Sequence, residues 1–241
     1  MGNDSSVISI VIPVYNEQHR ISSFLASVTK FLQNKDFSYE IVIVDDGSTD
    51  KTVTTIEQIL DEKVPGTFRV VQLPVNAGKG AAIRKGMLEA NGEYIFFLDA
   101  DGSTSIEEID RFMRSFTQGT DIYIAQRTLK QKAPFKRKIF GYGYIMLANL
   151  LLQLDVKDIT CGFKCYRRGC VQTIFSRQTL NNWSFDAENV FTARKHGYRI
   201  EEIQVAWEHT PGSKVKVFKN IIVCGFDLLR IRLNDLRGLY S

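Results

Sequence analysis

Four short apolar runs, each opening into a polar loop and then a helical stretch, with carboxylates in three of the four loops, constrain this chain more than any other feature. The run from Val7 to Val14 (VISIVIPV) is uncharged and rich in β-branched residues, as a parallel strand buried on both faces requires. YNEQHR follows, and Ile21, Phe24, Leu25, Val28 and Leu32 then recur at helical spacing, predicting a helix from Ile21 to Leu32. Tyr39 to Val44 is a second strand running into DDGSTD, where Ser48, Thr49 or Asp50 can cap a helix from about Lys51 to Leu60. Phe68 to Leu73 reads as a third strand, leading through NAGKG into a helix near Ala81 to Ala90. Tyr94 to Leu98 (YIFFL) is a fourth, ending in DADGS. Such units predict an open, mostly parallel α/β sheet flanked by helices, with ligands bound beyond the carboxyl ends of the strands.

After about Ile124 the pattern changes. Eleven basic residues between Arg127 and Arg177 stand against only Asp155 and Asp158, a local charge of +9 in a chain whose net charge is +4. Phe140 to Leu154 is strongly apolar and predicted helical; Ile221 to Tyr240 reads as an amphipathic helix with Leu228, Leu229, Ile231 and Leu233 beside Arg230, Arg232 and Arg237. Basic residues interleaved with Phe135, Phe140, Tyr142 and Tyr144 suit a membrane surface, whereas no nucleic-acid-binding module is recognisable. No apolar run reaches the roughly 18 residues of a membrane span, and MGNDSSVIS lacks the features of a signal peptide. Four cysteines without zinc spacing suit a reducing, cytosolic setting. With no repeat and no Pro/Gly-rich linker, one domain is expected, with residues 1–105 and 125–241 as differently specialised halves.

Asp99-Ala100-Asp101 follows directly on YIFFL. Two carboxylates in a loop at a strand end can converge on one hard cation, Mg²⁺ or Mn²⁺, that takes phosphate oxygens as further ligands. A solvated turn capping a helix from near Ile106 would use the same residues. Glu17, Asp45 and Asp46 fall on the same sheet edge, and clustered carboxylates repel unless cations or donors offset them. NAGKG lacks the spacing of a phosphate-binding P-loop; Gly78 and Gly80 allow a tight turn, with Lys79 near a donor. Trp183 and Trp207 are expected as core anchors, and His19, His196 and His209 show no metal spacing.

IPVYNE, VDDGSTD, NAGKGAAIRKG and FLDADGS, in this order over about the first 105 residues, resemble the motifs of family 2 glycosyltransferases of the GT-A fold. The resemblance implies an enzyme that uses a nucleotide-diphosphate sugar with inversion. Pro13, Tyr15, Glu17, Val44 and Asp46 would line the nucleoside pocket, with Lys79, Ala100 and Arg127 completing the donor site. Asp99 and Asp101 would hold metal and diphosphate, with Ser103 near a third ligand position.

In the second half Ala125-Gln126-Arg127, KRK (Lys136 to Lys138), TCGFKCYRR, NWSFDAE and PGSKVKVFK resemble the polyprenyl-phosphate glycosyltransferases. GFK, W-x-FD-x-E and GSK are most similar to the dolichyl-phosphate glucosyltransferases. The resemblance implies transfer of glucose from UDP-glucose to a dolichyl or other polyprenyl phosphate. GDP-mannose or another UDP-sugar, transfer to a saccharide hydroxyl, and a nucleotide-sugar-binding scaffold are the alternatives. Arg137 and Lys214 would meet the acceptor phosphate through charge-assisted hydrogen bonds. Because that phosphate is already anionic, Asp186 or Glu188 would orient it rather than deprotonate it, while metal, Arg127 or Lys214 offset the leaving diphosphate. The expected location is peripheral, on the cytosolic face of a membrane: endoplasmic reticulum in a eukaryote, plasma membrane in a prokaryote. Many such enzymes carry a membrane helix at one end, which this sequence does not show.

Overall fold

A computed structural model describes residues 8–63, 68–128, 135–208 and 217–241, of which 61–63, 135–140 and 217–222 by backbone only. The elements in chain order are β1 (Ile8–Val14), α1 (Ile21–Leu32), β2 (Tyr39–Asp45), α2 (Thr52–Lys63), β3 (Phe68–Gln72), α3 (Lys79–Glu89), β4 (Tyr94–Leu98) and α4 (Glu108–Arg114). They continue with β5 (Ile122–Arg127), α5 (Phe135–Leu152), β6 (Phe163–Arg167), α6 (Arg168–Ser176), α7 (Phe185–Lys195), β7 (Ile200–Val205) and α8 (Val217–Leu236).

The seven strands form one sheet in the order β3-β2-β1-β4-β6-β5-β7. Alternation along each strand sorts its side chains into two cores, as the strand period of two demands. Ile8, Ile10 and Ile12 of β1, Ile41 and Ile43 of β2 and Phe96 of β4 face α1, α2 and α4. Val11, Val42, Val44, Ile95 and Phe97 face α3, α6 and α7. A strand buried on both sides has no polar face to show, which is why these runs look continuously apolar.

From β1 the chain lays down β2 and β3 on one side, then crosses over to place β4 on the other. Such a reversal opens a crevice at the carboxyl ends of the two central strands, where α/β sheets bind ligands. The loops after β1 and β4 meet there. Pro13 is tolerated in central β1 because the ladder to β4 runs only from Ile8 to Val11, so on that side it has no bond to donate. β6 runs antiparallel to both neighbours and is the one reversal in a sheet expected to be mostly parallel.

Candidate active site

The loops after β1 and β2 are fastened by side-chain bonds to main chain. Asn16, in the left-handed region at φ 52°, donates its N–H to Ser48 Oγ (2.8 Å) and accepts the Thr49 N–H at Oδ1 (2.8 Å). The Glu17 N–H donates to Thr52 Oγ1 at 2.7 Å. The Glu17 carboxylate is gripped at both oxygens by Arg20, each bond 2.7 Å. Val44 turns its side chain into the core against Gly86, so it borders the crevice only through its backbone. Tyr15 stands exposed at the crevice and Ala100 is nearly buried.

Asp46 closes this side. Its carboxylate accepts Ala77 N–H (2.7 Å), Gly78 N–H (2.9 Å) and Asn76 Nδ2 (3.0 Å), and so fixes the segment entering α3. Burial raises the Asp46 pKa above its usual value, and the bonds from Ala77 and Gly78 work against that rise. Gly47, at φ 70°, admits this segment, since a Cβ there would lie 2.6 Å from the Val75 carbonyl carbon. Asp45 Oδ1 is buried with no hydrogen-bond partner among the described residues.

Lys79 projects from the first turn of α3 to Asp99, Nζ to Oδ1 2.5 Å, and lies 4.9 Å from the Trp183 ring centroid. Burial alone would depress its pKa; Asp99, Asp186 and Asp101 outweigh that and raise it, so Lys79 is a fixed cation. Asp99 fits because residue 162 is glycine: a Cβ there would overlap its carboxylate. Asp101 Oδ1 accepts the Ser103 N–H at 2.9 Å, and the Ser103 carbonyl accepts the Glu208 N–H at 2.8 Å. The segment following β7 therefore begins against this loop.

Behind Asp99 lies a second pair. Lys164, on β6 and fully buried, donates to Asp186 Oδ1 (2.6 Å) and to the Cys161 carbonyl (2.7 Å). Burial raises the Asp186 pKa, with Lys164 and Lys79 opposing the rise. Lys164 and Lys79 thus alternate with Asp186 and Asp99 beneath the crevice. Sequence alone counted Lys164 only as one of the eleven basic residues between Arg127 and Arg177; its place between Phe163 and Cys165, in a strand apolar on both faces, was the available signal of burial.

Arg127 ends β5 and is held by Asp158, Nε to Oδ2 2.6 Å and Nη2 to Oδ1 2.7 Å, with Nη2 also donating to Thr160 Oγ1 at 2.6 Å. Burial opposes its charge, but Asp158 overrides this, and the field of Asp99 reaches it as well. Trp207 lies under the guanidinium at 5.5 Å. Neither tryptophan is the core anchor expected: Trp183 is 43% exposed and Trp207 half-buried, because Lys79 and Arg127 use their ring faces. Arg137 is described by backbone only, in α5, and Lys214 and His209 lie outside the described residues.

No third His, Cys, Asp or Glu joins Asp99 and Asp101 in a metal-holding group among the described residues. Two hard oxygen donors still fit Mg²⁺ or Mn²⁺, which keep waters and take substrate phosphate oxygens to complete their shell.

The model of the family described as Glycosyl transferase family 2 matches residues 9–175. The chain belongs to glycosyltransferase family 2. It is 33% identical to the dolichyl-phosphate beta-glucosyltransferase of Dictyostelium discoideum, over 99% of this chain and 77% of that one. The Saccharomyces cerevisiae protein of that name is 34% identical over 97% and 76%. The human one is 30% identical over 97% and 77%. Among solved structures, glucosyl-3-phosphoglycerate synthase from Mycobacterium tuberculosis with uridine-diphosphate has a TM-score of 0.68 at 18% identity, covering 95% of this chain and 79% of that one. The same synthase with Mn²⁺, uridine-diphosphate-glucose and phosphoglyceric acid has a TM-score of 0.66 at 16% identity, covering 95% and 79%. This family 2 glycosyltransferase thus has the GT-A fold, and the crevice at its β1/β4 reversal is where the motifs converge.

Proposed function

We infer that the enzyme transfers glucose from UDP-glucose, with inversion, to the phosphate of a dolichyl-type polyprenol. The observation that carries this choice of acceptor is the state of Asp186. It is buried, and its Oδ1 is bonded to the equally buried Lys164, an internal ion pair that is not turned out to meet a sugar hydroxyl as a general base must be. A phosphate oxygen needs no such base. It attacks the anomeric carbon, a new carbon–oxygen bond forms, and the bond to the nucleoside diphosphate breaks with its electron pair leaving on the diphosphate. Similarity to dolichyl-phosphate beta-glucosyltransferases along nearly the whole chain supports the same substrates.

Within one domain, residues 1–105 would take the donor and residues 125–241 the acceptor. Pro13, Tyr15 and the Asp46-braced segment would border the base, and the orphaned Asp45 Oδ1 is an acceptor that a base N–H would satisfy. Asp99 and Asp101, with Ser103 beside them, would hold Mg²⁺ or Mn²⁺, which supplies positive charge to the diphosphate when bound. Lys79 would orient Asp99 and keep a cation beside the leaving group; Arg127, preorganised by Asp158, would add a second. Arg137 and Lys214 would meet the acceptor phosphate, on the cytosolic face of a membrane.

Radiolabelled UDP-glucose with a short polyprenyl phosphate and Mn²⁺ tests this. Label should pass into the organic phase and stay in water when EDTA is added. Transfer from GDP-mannose instead would overturn the sugar, and label on a saccharide acceptor would overturn the phosphate. Arg137→Ala should raise the KM for lipid phosphate about ten- to a hundredfold with the donor KM unchanged, the scale of one charge-assisted contact.

A further inference from the structure

Of the thirteen large hydrophobic side chains that stand exposed among the described residues, ten lie on α5, on α8 or in the turn after α8. The other three, Tyr15, Val75 and Trp183, belong to loops around the crevice. An apolar surface of that concentration marks an interaction site.

On α8 the charges are sorted as well. Phe226, Leu229, Leu233 and Leu236 recur at steps of three and four and make one outward stripe, with Leu236 84% exposed. Leu228 and Ile231 face the core. Arg230 and Arg237, both exposed, border the stripe. The two acids of α8 turn inward: Asp235 pairs with Lys195, and Asp227 accepts Asn182 Nδ2 at 2.7 Å and Ser184 Oγ at 2.8 Å. α5, which packs against α8, adds Tyr142, Met146 and Leu150 and carries no charged residue from Gly141 to its end.

We propose that the outer faces of α5 and α8 seat the enzyme on an anionic phospholipid bilayer, with the α8 stripe entering the acyl boundary and Arg230 and Arg237 meeting lipid phosphates. The choice of lipid follows from charge. In a twofold contact between two copies this face would meet itself, and among the described residues it offers these arginines no carboxylate that is not already paired. An anionic leaflet supplies the missing charge, and exposed leucines and phenylalanine flanked by arginine are the pattern of a helix lying in a membrane interface. Expectation from sequence centred the surface on Lys136 to Tyr144; the exposed residues extend it to the C-terminal helix. Asp227 ties that helix to the residues on either side of Trp183, next to Lys79, so docking would bring a membrane-borne phosphate to the crevice. The seat deepens the lipid-phosphate reading and rests on it for its purpose.

Flotation with vesicles of phosphatidylcholine and phosphatidylserine (7:3) tests it. The wild-type chain should float at low salt and progressively less as salt rises. Leu233→Glu/Leu236→Glu, on exposed positions, should keep its unfolding midpoint and lose vesicle binding at least about tenfold, and Arg230→Ala and Arg237→Ala should cost about fivefold each. The Glu pair should keep its turnover on a water-soluble short-chain polyprenyl phosphate while losing transfer to a long-chain acceptor held in vesicles. A Glu pair that still floats, or a wild-type chain that dimerises through this face and never floats, would overturn the seat. Vesicle binding by a wild-type enzyme inert toward every lipid phosphate would uphold the seat and overturn the acceptor assignment instead.

Discussion

The crevice and the α5/α8 layer are built by opposite means. Around the crevice the bonds are directional: Asn16 to the Ser48–Thr49 turn and Asp46 to Ala77 and Gly78 join side chain to backbone, and Lys79 pairs with Asp99 side chain to side chain. On α5 and α8 the inner faces pack apolar against the core, while the outer faces leave apolar side chains exposed. Preorganised polar groups suit recognition of a charged, small substrate, because no reorganisation is needed when charge develops. A non-directional apolar surface suits a fluid partner. The difference teaches where substitutions should act on chemistry, where on folding, and where on neither.

The largest expected effect tests whether the polar ground beneath the crevice is one charge system. Lys164→Met removes the cation facing Asp186 in a fully buried place, which costs about 3–5 kcal/mol when the partner charge is left behind. Urea unfolding should show this loss, and adding Asp186→Asn should recover much of it. A single Met variant as stable as the wild type would break the claim that the pair is coupled.

Next comes a change confined to chemistry. Asp101→Ala should cut turnover at least about a hundredfold, the scale of an electrostatic stabiliser at the leaving group, with the unfolding free energy within about 0.5 kcal/mol, as for a surface loop residue. Chelation of divalent cations should mimic it in the wild type. An active Asp101→Ala enzyme would remove the metal assignment.

These two cases also show what could be read from sequence. The helix from Ile21 to Leu32 and the strand from Tyr94 to Leu98 were legible to the residue, because periodicity and flanking polar loops act locally. The crevice was legible because carboxylates ended three of the strands. Lys164 was not: a charged residue in a five-residue strand reads as surface until its partner, 22 residues on, is known. Arg127 was named for the donor site by resemblance, but its Asp158 clamp, 31 residues away, was not legible. The reversed direction of β6 and the exposure of Trp183 likewise follow from tertiary packing that no local pattern encodes.

Asp46 gives a pH test of the crevice. Because its pKa is raised in the folded protein, the fold binds a proton more readily than the unfolded chain, so Asp46 favours folding below the ordinary carboxylate pKa. That contribution is lost as pH rises through the raised one. The ionised form braces Ala77 and Gly78, so donor KM should rise as pH falls, starting at higher pH than for an ordinary aspartate. Asp46→Asn should raise donor KM about tenfold at neutral pH and flatten this acid limb. An Asn variant with wild-type donor KM across pH would show that the brace is dispensable.

The smallest effect probes the join between the two regions. Tyr240, fully buried just beyond α8, donates to Glu188 Oε1 at 2.6 Å. Glu188 in turn accepts Thr179 N–H (3.0 Å), Thr179 Oγ1 (2.6 Å) and Leu180 N–H (2.8 Å). The 178–181 segment so held reaches Gly80, whose N–H donates to the Asn181 carbonyl at 2.8 Å, one residue from Lys79. A hydrogen-bonded path therefore runs from the C-terminal turn to the start of α3 beside Lys79. Tyr240→Phe removes one of the four donors to Glu188 and should cost about 1 kcal/mol of stability. Because Glu188 keeps the other three, the segment should stay in place and the donor KM should be unchanged. A donor KM raised tenfold or more would mean that the crevice leans on the α5/α8 layer for its shape, and the two regions would then have to be treated as one.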